Sequence, residues 1–470
     1  MRRSVRLFVA AAALVVSQLC ALAGNGGVTT VSVSSPFARC RDGQPTVVRN
    51  AEVEPSLALD PRRRRHIVVL YQQDRYRDGA ARGIATATSS DGGRTWSRSV
   101  IPVGLCATGS DRAPFRLTDP WVSIGPDGRV YALASAFVAT SADGGRSWTK
   151  PVELASRSDR YFLDKGSLTA DPARAGVAYA VWARFVQPAY GPPVESDAML
   201  TKTTDGGRTW SVPKVILPRQ RGAGSISSVI LADPGRRRLY HLAFWQIGTA
   251  PSLRQPSRLV VQSSQDGGSS WSRPYTIAQV YTVGLRTREA GSGEQIRTGF
   301  AVPSFAVDRR NGTLYAAWQD ARFAGKRHDQ IVLAHSADAG QTWSTPVRVS
   351  GVAMQAFVPN VAVTGRGVVG VAYFETPTGR SPRPVSTKYR LAISRDGGQS
   401  FMRVTVGGAF DLAHAPLMRS VPQFAVPPGL FLGDYMGLAA DEDAFHLAFV
   451  TTNPTARNPT DVRYGLVAAR

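Results

Sequence analysis

Of the 470 residues only three are cysteine, six are methionine and six are histidine. The histidines stand apart from one another, without the paired spacing of a metal site. No glycine-rich phosphate loop follows an apolar strand, and no Gly-x-Ser-x-Gly turn is present, so nucleotide chemistry and a serine-hydrolase elbow are both unsupported. Acids are few against bases, 34 to 56, and a formal net charge of +22 results. Beyond the N-terminus there is no apolar run long enough to span a membrane and no sustained 3.6-residue apolar period, which leaves little room for helices. Low-complexity linkers are also missing.

What the chain does have is glycine, 45 residues, and proline, 31, set among short apolar runs. Six copies of one pattern recur: Ser89-Ser-Asp91-Gly-Gly93-Arg-Thr95-Trp96, Ser141 to Trp148, Thr203 to Trp210, Ser264 to Trp271, Ser336 to Trp343, and Ser394 to Phe401, where Phe replaces Trp. Their aspartates, Asp91, Asp143, Asp205, Asp266, Asp338 and Asp396, lie 52, 62, 61, 72 and 58 residues apart, enough chain for one four-stranded sheet per repeat. The pattern is the chemistry of a tight hairpin turn, with Asp accepting backbone N–H groups, Gly in a left-handed conformation and Ser or Thr hydroxyls tying the strands. These six aspartates are read as structural.

Each copy is preceded by an apolar strand, a polar turn and a second apolar strand, as in Ser167 to Asp171 with Val177 to Trp182. Seven such units begin near Glu54, Asp119, Asp164, Ser227, Val302, Val358 and Gly433. The seventh has a third strand, Asp461 to Val467, and no copy of the pattern, while Val28 to Val33 alternates as an unpaired strand near the N-terminus. The expected architecture is all-β: a propeller of seven four-stranded blades, six being the alternative, closed by the N-terminal strand.

Residues 1–23 read as a signal peptide, with Arg2, Arg3 and Arg6 before the run Leu7 to Val16 and a small-residue cleavage site at Ala21-Leu-Ala23. Residues 24–470 then form a single secreted domain, expected to be monomeric, with net charge 22 − 3 = +19. Of the cysteines left after cleavage, Cys40 and Cys106 are expected to pair in an oxidising exterior. The base is mostly arginine, dense at Arg62 to Arg65 and Arg236 to Arg238. Two readings stand, a solvated surface or attraction to anionic glycans and cell envelopes. Nucleic acid is not expected, since no aromatic-basic recognition motif is present.

The repeats resemble the Asp box (S-x-D-x-G-x-T-W), or BNR repeat, of sialidases and other secreted β-propellers. That resemblance implies a glycan or glycoconjugate substrate and a site on the face opposite the boxes, where first strands begin and second strands end. It implies a Tyr nucleophile activated by Glu, an Asp acid/base, and three arginines on a substrate carboxylate. Carried onto this chain, the nucleophile is Tyr435, its base Glu54 or Glu375, and the acid Asp119 or Asp164. The clamp is Arg75, Arg184 and Arg322, joined in substrate binding by Lys165, Asp320 and Asp434. The Arg-Ile-Pro motif of the family's first blade is absent, Arg116-Leu-Thr being no match, and sialidases usually have six blades rather than seven. No cofactor or metal is expected, although clustered acids suit Ca²⁺ chemically. The competing reading is a non-catalytic propeller that binds glycan or protein at the same face.

Overall fold

The computed structural model describes residues 27–110, 113–114, 116–155, 158, 160–187, 194–248, 256–287, 294–378, 385–419 and 428–470. The expected signal peptide lies outside them. Among the described residues almost all regular structure is antiparallel sheet, relieved by a four-residue helix, Leu105–Thr108, and three single 3₁₀ turns.

Among the described residues six sheets are built on four strands consecutive in the chain, the sixth carrying Phe410–Asp411 as a fifth strand against Ser386–Ser394. They begin with the first strands Glu52–Leu59, Trp121–Ile124, Tyr161–Ala170, Ala223–Asp233, Ser304–Val307 and Met354–Val363. A seventh contains Gly437–Ala440, Ala444–Thr455 and Asn458–Ala468, and its fourth strand is Thr29–Thr30 from the other end of the chain. Thr29 pairs with Tyr464 and Thr30 with Arg463, and Val31 N–H donates to Val462 O at 2.8 Å. The N-terminal segment thus pairs beside the last strand, as its alternating pattern predicts. Each first strand touches the first strand of the next sheet, and Gly437–Ala440 touches Glu52–Leu59.

Adjacent sheets bury apolar side chains between them, for example Val68, Leu70 and Ile84 of the first against Val122, Val130 and Ala132 of the second. The six box turns have one hydrogen-bond scheme. In the first, Ser89 Oγ donates to Asp91 Oδ1 at 2.8 Å and accepts from Gly93 N–H at 2.8 Å, while Thr95 Oγ1 donates to Asp91 Oδ2 at 2.7 Å. The bonds from the Thr95 backbone and hydroxyl hold the Asp91 carboxyl well below its ordinary range. Two of the box tryptophans also hydrogen-bond to the neighbouring sheet: Trp96 Nε1 donates to Thr29 Oγ1 and Trp148 Nε1 to Ser99 Oγ, both at 3.2 Å.

A sheet outside the repeat joins two long insertions between the repeated units, Thr282 to Thr298 and Gly407 to Leu432. Gln295–Arg297 runs parallel to Gly429–Phe431 and pairs Ile296 with Leu430, with Leu285–Arg286 and Leu417–Met418 on the flanks. The Cys40–Cys106 disulfide is formed, with the Cα atoms 5.3 Å apart.

Candidate functional site

The first strands begin with a shared distortion. Register slips between Val53 and Ser56, Asp164 and Ser167, Ile226 and Val229, and Phe357 and Asn360, each a bulge next to the strand start. Non-glycine residues sit there at positive φ: Glu54 at 55°, Lys165 at 50°, Ser227 at 55° and Val358 at 55°, with Asp119 of the second sheet at 50°. Left-handed conformations of non-glycine residues cost energy and persist where the surroundings enforce them, which makes such positions informative about function. At the seventh sheet the place is taken by Gly433, where an added Cβ would lie 2.8 Å from Glu54 N.

These starts bring polar groups from four sheets together. Lys165 Nζ lies 3.0 Å from Asp119 Oδ1, 2.8 Å from Asp434 Oδ2 and 3.7 Å from Glu54 Oε1. Arg297, from the insertion sheet, grips Asp434 with both arms, Nε to Oδ1 at 3.2 Å and Nη2 to Oδ2 at 2.8 Å. Glu54 accepts from Gln72 Nε2 and, at 3.2 Å, from Asp434 N–H. Asp164 accepts from Lys165 N–H at 2.9 Å. Beside Asp119 and Asp164 lies a cavity of about 20 Å³, room for one water molecule, lined also by Thr118, Ser135 and Trp182, whose Nε1 has no hydrogen-bond partner.

The charges are set by burial against this ring of neighbours. Burial, reinforced by Asp119 and Asp434 and opposed by Lys165, pushes Glu54 up to about 7. Burial and Asp119 likewise push Asp164 up to about 7. Burial works against ionisation of Asp434 too, but Arg297 and Lys165 overcome it and hold that carboxyl far below its usual range. The same acids keep Lys165 charged despite its burial. The cluster therefore combines two carboxyls able to exchange a proton near neutrality with a fixed anion and two fixed cations.

Tyr435 is 5 % exposed. Its hydroxyl donates to Pro120 O at 2.9 Å, and burial, then Glu54 and Asp119, push the phenol well above its ordinary value. It packs on Trp121 with ring centroids 5.5 Å apart, and the Lys165 ammonium lies 5.9 Å from its ring centre. The site thus unites Glu54, Asp119, Asp164, Lys165, Asp434 and Tyr435 of the residues expected from sequence.

The other expected residues are engaged elsewhere. Glu375 pairs with Arg390 at 3.0 Å. Arg184 pairs with Asp197 at 2.9 Å, an acid that also takes Arg219 at 2.6 Å. Arg322 forks onto Asp320, Nε to Oδ1 at 2.9 Å and Nη2 to Oδ2 at 2.8 Å, and Trp318 Nε1 donates to the same acid at 2.9 Å. Arg75 is sealed from solvent, its guanidinium 4.7 Å from the Phe431 ring centre, with Nε and Nη2 lacking hydrogen-bond partners. Burial and Arg297 lower its pKa to about 9. Arg184 and Arg322 are thus paired with acids of their own sheets, while Arg75 keeps Nε and Nη2 unpaired in a buried position.

Arg297, Gln72, Trp121 and Phe431 were not singled out from sequence. The signal for Gln72 was the polar run Gln72-Gln73-Asp74-Arg75 ending an otherwise apolar strand. For Arg297 it was the insertion's position at the same face, which names no residue.

No protein-family model matches the chain. Among curated proteins, a sialidase of Micromonospora viridifaciens is similar, 27% identical over 228 residues. The match takes in 46% of this chain and spans about a third, 32%, of that relative. Among solved structures, a Hadza microbial sialidase is similar at TM-score 0.45 and 13% identity, over 85% of this chain and 76% of that one. An α-L-arabinanase of Penicillium chrysogenum, complexed with arabinobiose, is similar at TM-score 0.44 and 13% identity, over 74% and 92%. The chain resembles the sialidase-like β-propellers. Among the described residues no helix is long and apolar enough to cross a membrane.

Proposed function

We propose that the protein is an exported seven-bladed Asp-box propeller acting as a glycoside hydrolase, with acidic sugar termini of glycans as its substrates. The observation that carries the reading is the cluster of Glu54, Asp164, Lys165 and Asp434, in which two carboxyls are poised near neutral pH beside fixed charges of both signs. Such poising is what proton transfer to a leaving oxygen and from an attacking water requires. In this reading protonated Asp164 gives its proton to the glycosidic oxygen as the C–O bond breaks. Ionised Glu54 removes a proton from the water that adds to the sugar carbon, and Asp119 supports the exchange. Arg297, a fifth exposed and fixed by Asp434, is the arginine best placed to meet a sugar acid. The similarity to a sialidase supports the substrate class, and the formed disulfide supports export.

The test is release of a fluorogenic reporter from a sialoside, with an arabinofuranoside as a second substrate. The wild type should turn over the sialoside with a bell-shaped pH profile centred near neutrality, and Asp164→Asn should remove activity while leaving the fold intact. No release from either substrate, with glycan binding retained, would instead establish a non-catalytic binder.

A further inference from the structure

Four turns joining the first and second strands contain a glycine two residues before the apolar start of the second strand: Gly128, Gly176, Gly312 and Gly367, at φ of 76°, 76°, 76° and 81°. Over three of them an arginine from the preceding sheet lies where a Cβ would be, Arg62 over Gly128, Arg236 over Gly312 and Arg310 over Gly367, whereas Gly176 faces the box of its own sheet, 3.3 Å from Gly206 N. Arg236 and Arg310 are also anchored to an aspartate of their own turns, Asp233 and Asp308, at 3.3 and 2.9 Å. At these three junctions the arginine thus bridges neighbouring sheets across the box face.

At the junction of the third and fourth sheets the bridge is missing. The glycine position is occupied by Arg237, still left-handed at φ 51°. Arg174 of the preceding turn folds back onto its own Asp171, Nε at 2.9 Å and Nη2 at 2.7 Å. A cleft of about 430 Å³ opens there, lined by Arg174, Lys202, Arg237 and Arg238 with Asp171 and Asp233.

The acids of this cleft are already used. Asp171 takes Ala173 N–H at 3.0 Å as well as Arg174, Asp233 takes Arg236, and Asp266 at the rim takes the serines of its own box. Lys202, Arg237 and Arg238 have no carboxylate partner among the described residues, and Arg238 Nε is buried without a hydrogen bond. The surplus is cationic, in a hollow larger than a simple ion fills. We infer that this cleft on the box face binds the carboxylate or sulfate of an acidic sugar residue, the bridge having been exchanged for a binding site by arginine at position 237. Binding here is independent of the reading of the opposite face.

The experiment is calorimetric titration of the mature chain with trigalacturonate, with maltotriose and with sodium sulfate alone. Trigalacturonate should bind and weaken with added salt, and maltotriose should not bind. Arg237→Gly, which restores the glycine of the other turns, should melt no lower than the wild type yet bind trigalacturonate at least about tenfold more weakly. Arg62→Ala, a bridging arginine on the same face, should bind as the wild type does. Unchanged affinity in Arg237→Gly overturns the assignment, and so does equal weakening by Arg62→Ala, which would make the attraction one of diffuse surface charge. Sulfate binding as tightly as trigalacturonate overturns the sugar and leaves a small-ion site only.

Discussion

Replacing Lys165 with methionine removes the cation that three acids share, at 3.0, 2.8 and 3.7 Å, while keeping the length of the side chain. Arg297 still compensates Asp434, but Asp119 and Glu54 lose their ammonium partner. Breaking a buried ion pair from one side costs about 3 to 5 kcal/mol, and this figure should hold at pH 8, where the carboxyls are ionised. The penalty must shrink in acid. Glu54 and Asp164 sit at about 7 in the fold against ordinary values of 4.5 and 3.8, and Lys165 is a force holding them down, so its loss moves both higher. A raised carboxyl binds its proton more tightly folded than unfolded, so its favourable contribution is complete below the unfolded value and is lost as pH rises through the folded one. At pH 5 both carboxyls carry protons in the variant, and the remaining cost should be about 1 to 2 kcal/mol. Urea unfolding of wild type and variant at pH 5 and pH 8 measures the difference directly. Lys165→Gly, which also relieves the left-handed backbone, should recover about 1 kcal/mol relative to Lys165→Met at both pH values. A penalty of equal size at pH 5 and 8 would refute the coupled cluster and reduce Lys165 to a packing residue.

Further outcomes follow from the same structure. Cys40 and Cys106 close a loop with a sequence separation of 66, so the double alanine variant should lose up to about 4 kcal/mol, read from urea midpoints, and intact mass of the native protein should show no free thiol at either position. Gly367→Ala both displaces the Arg310 guanidinium and places a Cβ at positive φ, and should cost about 1 to 2 kcal/mol in the same assay. His241, buried with Nε2 2.9 Å from Ser228 Oγ, is pushed down by burial to about 3 from 6.5. Because the unfolded chain takes up this proton first, stability should fall by about 2 kcal/mol between pH 6.5 and pH 5, and His241→Phe should flatten that slope. Asp205→Ala removes the acceptor of Thr203 Oγ1, Thr209 N–H and Thr209 Oγ1, and should lower the melting temperature while leaving turnover per folded molecule unchanged.

What sequence conveyed well was local and repeated. The box spells out its own hydrogen bonds in eight residues, and the paired strands before it are short apolar runs such as Val177 to Trp182, so the sheets could be placed along the chain. Thr29 and Thr30 were legible because an alternating strand without a neighbour needs one. Pairings that depend on distant chain were not legible. Ile296 against Leu430 joins two insertions with no shared pattern, and it places Arg297 at Asp434 and Phe431 over Arg75. The fate of the second-strand arginines was hidden for a related reason. Arg184 faces Asp197 only through the register of one hairpin, and an unpaired guanidinium cannot be told from a paired one without that register. Burial of Arg75 and Tyr435 is likewise a property of what the insertion sheet and the second sheet lay over them.

The site's composition follows from a geometric constant. The bulge at the start of the first strands holds a residue at positive φ in the same place in one sheet after another, so whatever side chain occupies it is delivered to a fixed position relative to its neighbours. In the first three sheets those residues are Glu54, Asp119 and Lys165, and with Asp434 following Gly433 they meet within ion-pair distance. In the fourth and sixth sheets the same bulge carries Ser227 and Val358, which bring no charge. The charged strand starts are thus confined to the seventh, first, second and third sheets, with the insertion sheet laid beside them through Arg297. Ionisable groups therefore line one flank and hydroxyl or apolar residues the other, a polarity that arises from three side chains at a repeated backbone position with Asp434 beside Gly433.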